Sequence, residues 1–450
     1  MTLASLSTLQ QIHVQQGHSL AASTPVDMSR VAAIILGGGQ GARLSPLTAT
    51  HCKPAISFGG KYCLIDVPMS NAIHSGCLMI YIVTQFLSTS LHKHISSTYR
   101  SGTFSPGFIE LLTAEQRPNE HSWFQGTADA VRQNINYFSE APVDYFLILS
   151  GDQLYNMNFQ NMVKFAKETN ADLVVAALPV AEAEAKRMGL LKLNEDRSIV
   201  DFREKPQEKD VLDHMRIPEF TLKQLDPDFD KSRQYLGSMG IYLFKRKALL
   251  DLLKTDPRED FGQHLIPTKV SQGGVAAYLY DGYWEDIGTI ESFFKANIAL
   301  TAPNPLFNCY DDKKPIFSMH LHLPPPKIFN TQVHHAIICE GSVVEGAEII
   351  NSILGPRTSI KSGSVVRNSY VMGNDFYNPP IHTERLPARL VIEENCILDH
   401  VILDKHVWIG KNVKLINKNR LKRYDGDGVY IRDGIIIVTR GAHVPDRFVL

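Results

Sequence analysis

A glycine-rich segment followed by two cations is the first place where residue types and spacing in this sequence could do chemistry. An apolar run leads directly into a loop that begins with Leu36, Gly37, Gly38 and Gly39. Glycine has no Cβ, so backbone N–H groups in such a loop can approach and cradle phosphates. Arg43 and Lys53 follow shortly afterwards. Arginine grips phosphate with two N–H groups and lysine acts as a point charge, so the segment predicts a site for a polyanionic substrate.

Two other phosphate-binding motifs fit this segment less well. A Walker A loop is excluded because no Gly-Lys-Ser/Thr follows the glycines. Gly37, Gly39 and Ala42 have the spacing of a dinucleotide fingerprint. That motif requires a helix directly after the loop, and Pro46 and Pro54 would break such a helix early. The dinucleotide interpretation is therefore the weaker one.

Two carboxylates are candidates for holding a metal ion. Asp152 follows the apolar run Tyr145–Leu149, and Asp286 lies beyond the apolar run Val275–Tyr280. Ligands collect at the carboxyl ends of strands in open parallel sheets, and Mg²⁺ favours one or two carboxylates together with substrate phosphates. If the two strands converge, the pair predicts a Mg²⁺ site. The alternative for Asp152 is a helix cap.

The elements that must position these residues are short apolar runs alternating with amphipathic stretches, from residue 31 to about residue 305. This alternation predicts one large α/β domain with a Rossmann-like, mostly parallel sheet covered by helices on both faces. The predicted strands are Val31–Leu36, Met79–Thr84, Tyr145–Leu149, Leu173–Leu178 and Ile241–Phe244. The predicted helices include 127–140 and 159–170.

The rest of the chain has a different pattern. Residues 306–332 are rich in proline and predict a linker. In residues 333–450 aliphatic residues recur every six positions, which is typical of a parallel β-helix. The repeating positions are Ile338, Val344, Ile350, Leu354, Ile360, Val366, Met372, Val391, Ile397, Leu403, Ile409 and Leu415.

The composition excludes several classes of protein. Forty-six Lys and Arg against 47 Asp and Glu give a net charge of −1 in 450 residues, so there is no overall reason to expect nucleic acid or membrane binding. No apolar run approaches the roughly 18 residues of a membrane-spanning helix. The six cysteines are scattered without a CxxC pair, which predicts reduced thiols in a cytoplasmic protein rather than disulfides or a zinc site. Residues 1–30 contain no signal-peptide pattern and are expected to form a flexible extension.

Taken together, the motifs resemble those of ADP-glucose pyrophosphorylase (glucose-1-phosphate adenylyltransferase), within the sugar nucleotidyltransferases. The matching segments are GGGQGARL at 37–44, KP at 53–54, WFQGTADAV at 123–131, SGDQLY at 150–155, FREKP at 202–206, SMGIY at 238–242 and YWEDIGT at 283–289. The resemblance covers about residues 31–450. It implies Mg²⁺-dependent transfer of an adenylyl group from ATP to α-D-glucose 1-phosphate, the committed step of glycogen or starch synthesis. It also implies a left-handed β-helix, a homotetramer and regulation by metabolite effectors.

The resemblance also implies a role for individual residues. Arg43, Lys53 and Asp152 would be catalytic, and Asp152 and Asp286 would hold Mg²⁺. The nucleotide would lie against Leu36, Gly37, Gly38, Gly39, Gln116 and Gly126. Glucose 1-phosphate would contact Phe124, Gly189, Glu204, Lys205, Ser238, Asp260 and Trp284. Lys418 and Arg440 lie near positions that bind 3-phosphoglycerate in plant-type members.

Some positions depart from the family pattern, and three alternatives remain open. Ala42 replaces the usual Thr, Asn156 replaces a basic residue, and Thr50 and His51 replace basic residues of a bacterial activator site, so the effector is open. The first alternative is a sugar nucleotidyltransferase that uses UTP, GTP or dTTP. The second is a non-catalytic regulatory subunit. The third is an acyltransferase, because left-handed β-helices also serve that chemistry with histidine as the base.

Overall fold

The computed structural model describes residues 26–100, 107–115, 123–225, 230, 232–378 and 390–450. Most of the predicted N-terminal extension lies outside these ranges. The strands of the first domain are β1 (Val31–Leu36), β2 (Ser57–Phe58), β3 (Tyr62–Cys63), β4 (Met79–Thr84), β5 (Phe108–Thr113), β6 (Tyr145–Ser150), β7 (Gln153–Tyr155), β8 (Leu173–Val180), β9 (Gly189–Leu193), β10 (Ile199–Glu204), β11 (Tyr235–Lys245), β12 (Val275–Leu279) and β13 (Trp284–Asp286).

Eleven α-helices accompany these strands in the described part of the chain. They are α1 (Asp66–His74), α2 (Thr89–Thr98), α3 (Thr127–Gln133), α4 (Ile135–Glu140), α5 (Phe159–Thr169), α6 (Glu182–Ala185), α7 (Lys209–Met215), α8 (Glu219–Leu225), α9 (Arg246–Thr255), α10 (Ile266–Gln272) and α11 (Ile290–Ala299). The predicted helix over 127–140 is divided in two at Asn134. The Asn134 backbone N–H donates to Val131 O. The Asn134 side-chain amide donates to Ala130 O, which would accept the backbone N–H of Asn134 in a continuous α-helix.

The central sheet of the described chain has nine strands. It is parallel in the order β5-β4-β1-β6, and β12 pairs in parallel with β8. The long strand β11 runs antiparallel to β6, β8 and β9, and β10 pairs with β9 in the same sense. The sheet is therefore mixed, with its parallel part centred on β1 and β6. Buried side chains on both faces form two large clusters with the surrounding helices.

The C-terminal domain is a β-helix of short strands that pair in parallel from one coil to the next, closed by an antiparallel ribbon. Its strands are β14 (Lys327–Phe329), β15 (Gln332–Ile338), β16 (Val343–Glu345), β17 (Glu348–Leu354), β18 (Ser359–Ile360), β19 (Val365–Arg367), β20 (Tyr370–Val371), β21 (Ile397–Asp399), β22 (Val401–Leu403), β23 (Trp408–Ile409), β24 (Lys414–Leu415), β25 (Arg423–Asp425), β26 (Val429–Arg432), β27 (Ile435–Val438) and β28 (His443–Val444).

The six-residue period describes most of this helix but not every corner. Eight of the twelve repeating positions are buried, and the other four are half-buried. At three of these four the neighbouring residue fills the core instead: Ile349, Ile392 and Leu398. Corner residues in the left-handed conformation, such as Asn351 and Asn395, accompany these shifts of one residue.

The two domains pack directly against each other through a shared apolar cluster. Phe293 on α11 contacts Tyr370 on β20, with ring centroids 5.8 Å apart, and both side chains are buried. Phe58 on the β2–β3 hairpin belongs to the same cluster. Because α11 follows β13 and the hairpin follows Lys53, the β-helix supports the segments that carry Lys53 and Asp286.

Candidate active site

The glycine-rich loop and the segment of Asp152 leave the sheet side by side. β1 and β6 are parallel neighbours, and Leu36 at the end of β1 pairs with Ser150 at the end of β6. The Gly151 N–H then donates to Leu36 O at 3.0 Å. This register places Asp152 next to the loop at the carboxyl edge of the sheet, where ligands collect in such folds.

Asp286 is brought to Asp152 by a two-stranded ribbon. β7 starts directly after Asp152 and pairs antiparallel with β13, so Asp286 lies opposite Gln153. The Ile287 N–H donates to Asp152 O at 3.3 Å. The two carboxylates predicted from separate apolar runs therefore meet at one place.

Lys53 joins the two carboxylates. It begins a 3₁₀ turn over Lys53–Ala55, and its Nζ lies 2.5 Å from Asp152 Oδ2 and 3.9 Å from Asp286 Oδ1. Only 11% of the Lys53 side chain is exposed. The Ser150 hydroxyl donates to the other oxygen of Asp152. This group of three charges is the centre of the candidate site.

The two carboxyl groups respond in opposite directions. Burial alone would raise the pKa of Asp152, but the ammonium of Lys53 and the hydroxyl of Ser150 bring this pKa below its ordinary value. Burial and the neighbouring charge of Asp152 raise the pKa of Asp286, although Lys53, Arg43 and Arg187 oppose the rise. Asp152 therefore has its counter-ion, whereas Asp286 remains short of positive charge.

Arg43 stands at the edge of this group. It lies on a 3₁₀ turn over Ala42–Leu44, directly after the glycine-rich loop, and its side chain is exposed. A Cβ placed on Gly288 would be 3.7 Å from the Arg43 guanidinium carbon and 2.8 Å from Asp286 Oδ2. The structure thus brings together Arg43, Lys53, Asp152 and Asp286, which the sequence predicted to bind phosphate or a metal ion.

The first of two cavities at this edge has a volume of 490 Å³. The residues lining it that were named from the sequence are Leu36, Gly38, Gly39, Phe124, Gly126, Asp152, Glu204, Lys205 and Asp260. Gly37 is not in its wall, and the Gly37 N–H donates to Val83 O at 2.9 Å. Gln116, also expected here, lies outside the described residues.

Gly126 is required by a close approach of two chain segments. A Cβ at this position would lie 2.4 Å from Glu259 O, the carbonyl that accepts the N–H groups of Ala128 and Asp129. Asp260 strengthens the same junction, since its carboxylate accepts from Thr127 Oγ1 at 3.1 Å. These contacts hold the start of α3 against the wall of the first cavity.

The second cavity has a volume of 590 Å³ and lies on the other side of Lys205. The residues lining it that were named from the sequence are Gly189, Glu204, Lys205, Ser238, Trp284 and Asp286. Lys205 adopts a left-handed backbone conformation with φ of 45°, and its Nζ lies 2.8 Å from Glu204 Oε1. Gln153, Glu204 and Lys205 line both cavities, so the two spaces are neighbours. Phe124 and Asp260, expected at the sugar phosphate, lie in the wall of the first cavity.

Sequence reasoning missed several residues of these walls. Gln85 follows β4, and its side chain binds the backbone of Phe124 through both its carbonyl and its amide. Arg187 and Arg233 add two cations to the second cavity. The sequence did offer a signal for Gln85, because this residue directly follows a predicted strand. Nothing in the sequence marked the two arginines.

Arg440 lies in a separate charged cluster between the two domains. Its guanidinium is 3.7 Å from Asp375 Oδ2 and 3.8 Å from Asp404 Oδ1. Lys405 and His406 also bind Asp375, at 2.6 and 2.9 Å. Although burial would raise the pKa of Asp375, these partners hold it well below its ordinary value.

His51 faces this cluster from the first domain, and Lys418 stays outside it. Burial and the positive charges of Arg440 and Lys405 lower the pKa of His51 to about 4. Lys418 is exposed after β24 and makes none of the contacts that define the cluster. Only one of the two residues expected at an effector site therefore belongs to this group.

No helix in the described ranges is long and apolar enough to cross a membrane.

Comparison with protein families accounts for both domains. Residues 32–302 match the family described as nucleotidyl transferase, and residues 321–449 match the GLGC left-handed parallel beta-helix domain. The first match covers more than half of the chain. The combination of a nucleotidyl transferase domain with this β-helix is characteristic of the ADP-glucose pyrophosphorylases. The chain therefore belongs to the nucleotidyl transferase family and has the two-domain architecture of the ADP-glucose pyrophosphorylases.

Proposed function

We propose that this protein transfers the adenylyl group of ATP to α-D-glucose 1-phosphate, giving ADP-glucose and pyrophosphate in the committed step of glycogen or starch synthesis. The observation that carries the proposal is that Asp152 lies in the wall of one cavity and Asp286 in the wall of a second, with the Lys53 ammonium near both carboxylates. One cavity has the glycine-rich loop in its wall, and the other has Lys205 and Trp284. A nucleotide in the first and a sugar phosphate in the second would meet at the charged group.

The reaction is an in-line displacement at the α-phosphorus. An oxygen of the sugar phosphate attacks this phosphorus, and the bond to the β,γ-pyrophosphate breaks. The second pKa of a phosphate monoester is about 6, so the nucleophile is already anionic near neutral pH and needs no general base. Catalysis then depends on positioning and on stabilising charge at the leaving group.

The cations near the first cavity suit the leaving group. Lys53 is held in place by Asp152, and Arg43 lies beside Asp286. When ATP is bound, these two side chains would neutralise charge that develops on pyrophosphate. Gly38 and Gly39 have no Cβ, so the backbone of the loop can approach the nucleotide closely. A Cβ on Gly39 would meet no atom within 4 Å, which shows that this side of the loop is open.

The residues present fit a Mg²⁺ ion. Asp152 and Asp286 supply only oxygen donors, which Mg²⁺ prefers, and a divalent cation would offset the burial and the repulsion by Asp152 that raise the pKa of Asp286. When bound, the ion would neutralise phosphate charge and orient the two substrates. Lys53 would remain the counter-ion that keeps Asp152 ionised.

The sugar phosphate would be held by charge and by hydrogen bonds. Lys205 is half-exposed at the boundary of the cavities, so its ammonium can leave Glu204 and bind the phosphate. Ser238 and Glu204 offer polar groups for the sugar hydroxyls. Trp284 is fixed by a bond from Nε1 to Gln153 Oε1 at 3.3 Å and would pack against the sugar ring.

The test is a comparison of nucleotides. The protein is incubated with glucose 1-phosphate, Mg²⁺ and either ATP, UTP, GTP or dTTP, and released pyrophosphate is measured. We expect clear preference for ATP. Preference for another nucleotide would contradict the adenylyl assignment but keep the reaction class, and no pyrophosphate with any nucleotide would support a regulatory subunit.

Regulation is part of the proposal. Arg440 and Lys405 are cations beside Asp375 between the domains, with His406 bonded to the same carboxylate and His51 facing the group. An anionic metabolite would bind here by displacing the carboxylate of Asp375 from these cations. We also propose a homotetramer in the cytoplasm, following the family resemblance, and light scattering on the full chain would measure its mass.

A further inference from the structure

A second group of ligand-type side chains lies away from the active site. Cys63 ends β3, Asp66 begins α1, and His94 lies on α2. One potential ligand atom from each residue lies within 4.8 Å of the others. Asp66 is fully buried, and only 11% of the His94 side chain is exposed. None of the three residues belongs to the proposed reaction.

The carboxylate of Asp66 is held rigidly by its neighbours. Its Oδ1 accepts from His94 Nε2 at 2.6 Å and from the Tyr99 hydroxyl at 2.7 Å. Its Oδ2 accepts from the Cys63 N–H at 2.8 Å. An ion pair joins His94 to Asp66, and the Cys63 thiol also interacts with His94 while making a long contact of 3.5 Å to Ala55 O, so all three side chains face one another.

The three side chains offer sulfur, nitrogen and oxygen. This mixed set suits a borderline-soft divalent cation such as Zn²⁺, whereas Mg²⁺ prefers oxygen alone. We propose that Cys63, Asp66 and His94 form a binding site for a Zn²⁺-type cation, with water as a fourth ligand. The scattered cysteines predicted no zinc site, but this group draws its ligands from three different elements, and the spacing of cysteines does not reveal it.

Binding of a divalent cation leaves the net charge of the site unchanged, because protons are released. In the metal-free state the site holds a thiol and a hydrogen-bonded imidazolium–carboxylate pair, with a net charge of zero. Binding replaces the thiol proton of Cys63 and the proton shared by His94 and Asp66, so two protons leave as the dication enters. The buried site is neutral in both states, and Tyr99 and the Cys63 N–H remain to orient the carboxylate.

The site is connected to the turn that carries Lys53. Cys63 Sγ contacts Ala55 O, the last residue of that turn, and the Ile65 N–H donates to Pro54 O at 3.0 Å. The Tyr99 hydroxyl also lies 3.2 Å from Phe317 O in the linker. A bound cation would therefore brace the Lys53 turn and the linker against α1 and α2.

Co²⁺ is the probe for the first test. The full-length protein is stripped with chelator and titrated with Co²⁺, and the thiolate-to-cobalt charge-transfer absorption is recorded. We expect one equivalent per chain in the wild type and in Cys339→Ser, and loss of the band in Cys63→Ser. A titration without a band, or a band that persists in Cys63→Ser, would overturn the proposal. Asp152 and Asp286 carry no sulfur, so this readout does not depend on the proposed reaction.

A second measurement needs no variant. The wild-type protein is treated with iodoacetamide with and without Zn²⁺, and modified cysteines are identified by mass spectrometry. We expect Zn²⁺ to slow alkylation of Cys63 at least severalfold and to leave Cys309, a half-buried cysteine elsewhere, unchanged. Equal alkylation of Cys63 in both conditions would contradict the site.

Discussion

The ammonium of Lys53 lies 2.5 Å from the carboxylate of Asp152, and 3.9 Å from that of Asp286. The 3₁₀ turn that begins at Lys53 and the β7–β13 ribbon bring these charges together from distant parts of the chain. One cation therefore serves two carboxylates, and the second carboxylate keeps a raised pKa. This imbalance is the electrostatic basis of the proposed metal and phosphate site.

Asp152→Asn is expected to lower turnover by roughly 100-fold or more, because it removes a metal ligand and the partner of Lys53. Pyrophosphate release measures the effect, and circular dichroism checks that the variant is folded. Asp251→Asn, on the exposed face of α9, is the matched control and should keep wild-type activity. Near-normal turnover of folded Asp152→Asn would remove Asp152 from the mechanism.

Asp286→Asn is expected to raise the Mg²⁺ concentration needed for half-maximal activity by roughly tenfold. The substitution removes a carboxylate oxygen that would bind the ion but leaves the Lys53–Asp152 pair intact. Chelator should stop the wild-type reaction, and added Mg²⁺ should restore it. An unchanged Mg²⁺ requirement in Asp286→Asn would show that this carboxylate does not hold the ion.

Lys205→Ala is expected to raise the KM for glucose 1-phosphate by roughly 10- to 100-fold, with a much smaller change in the KM for ATP. The reason is the loss of a charge-assisted bond to the sugar phosphate at the boundary of the two cavities. Lys209→Ala, on the exposed start of α7, is the control. Equal increases in the KM values for glucose 1-phosphate and ATP would show that Lys205 does not act specifically on the sugar phosphate.

Arg440→Ala and Lys405→Ala are expected to weaken the response to anionic effectors while basal activity stays unchanged. Activity is titrated with fructose 6-phosphate, fructose 1,6-bisphosphate, 3-phosphoglycerate, AMP and phosphate. Lys411→Ala, an exposed cation on the same domain, is the control. Lys418→Ala tests the other residue implied by the resemblance. If Lys418→Ala alone removed the response, the effector site would lie outside the interdomain cluster.

His51 is expected to make the folded protein less stable in acid. Its pKa is lowered to about 4 by burial and neighbouring cations, from an ordinary value of 6.5. Between these values the unfolded chain binds one more proton, so stability falls as the pH is lowered through this window. After allowing for solvent screening at this partly exposed side chain, the free energy of unfolding falls by about 1–2 kcal/mol across the window.

Thermal unfolding of wild type and His51→Gln across this window measures the effect. The wild type should lose more stability than His51→Gln as the pH falls. His334→Gln, on an exposed part of β15, controls for the loss of one histidine. Parallel curves for wild type and His51→Gln would contradict the lowered pKa of His51.

The fold was largely predictable because the burial of strands and helices determines the pattern of apolar residues in the sequence. The apolar runs at Val31–Leu36 and Met79–Thr84 become strands with those bounds, since both faces of the central sheet are covered. The six-residue period likewise predicts the β-helix. Individual corners were not predictable, because residues such as Asn351 enter the left-handed conformation and shift the core position to Ile349.

The candidate site was predictable where a residue follows a strand. Asp152 was found in this way because the carboxyl ends of parallel strands face ligands. Its meeting with Asp286 depends on the β7–β13 ribbon, whose strands have three residues each and leave no periodic signal. Arg187 and the Cys63 group were missed for the same reason, since only tertiary packing brings them to their partners.

ATP labelled at a single phosphorus distinguishes adenylyl transfer from transfer of the terminal phosphoryl group. The protein is incubated with Mg²⁺, glucose 1-phosphate and ATP labelled at either the α- or the γ-phosphorus, and the products are separated. Adenylyl transfer predicts that the α-label enters the sugar nucleotide and that the γ-label leaves in pyrophosphate. A γ-label found on the sugar or in free orthophosphate would contradict adenylyl transfer by this protein.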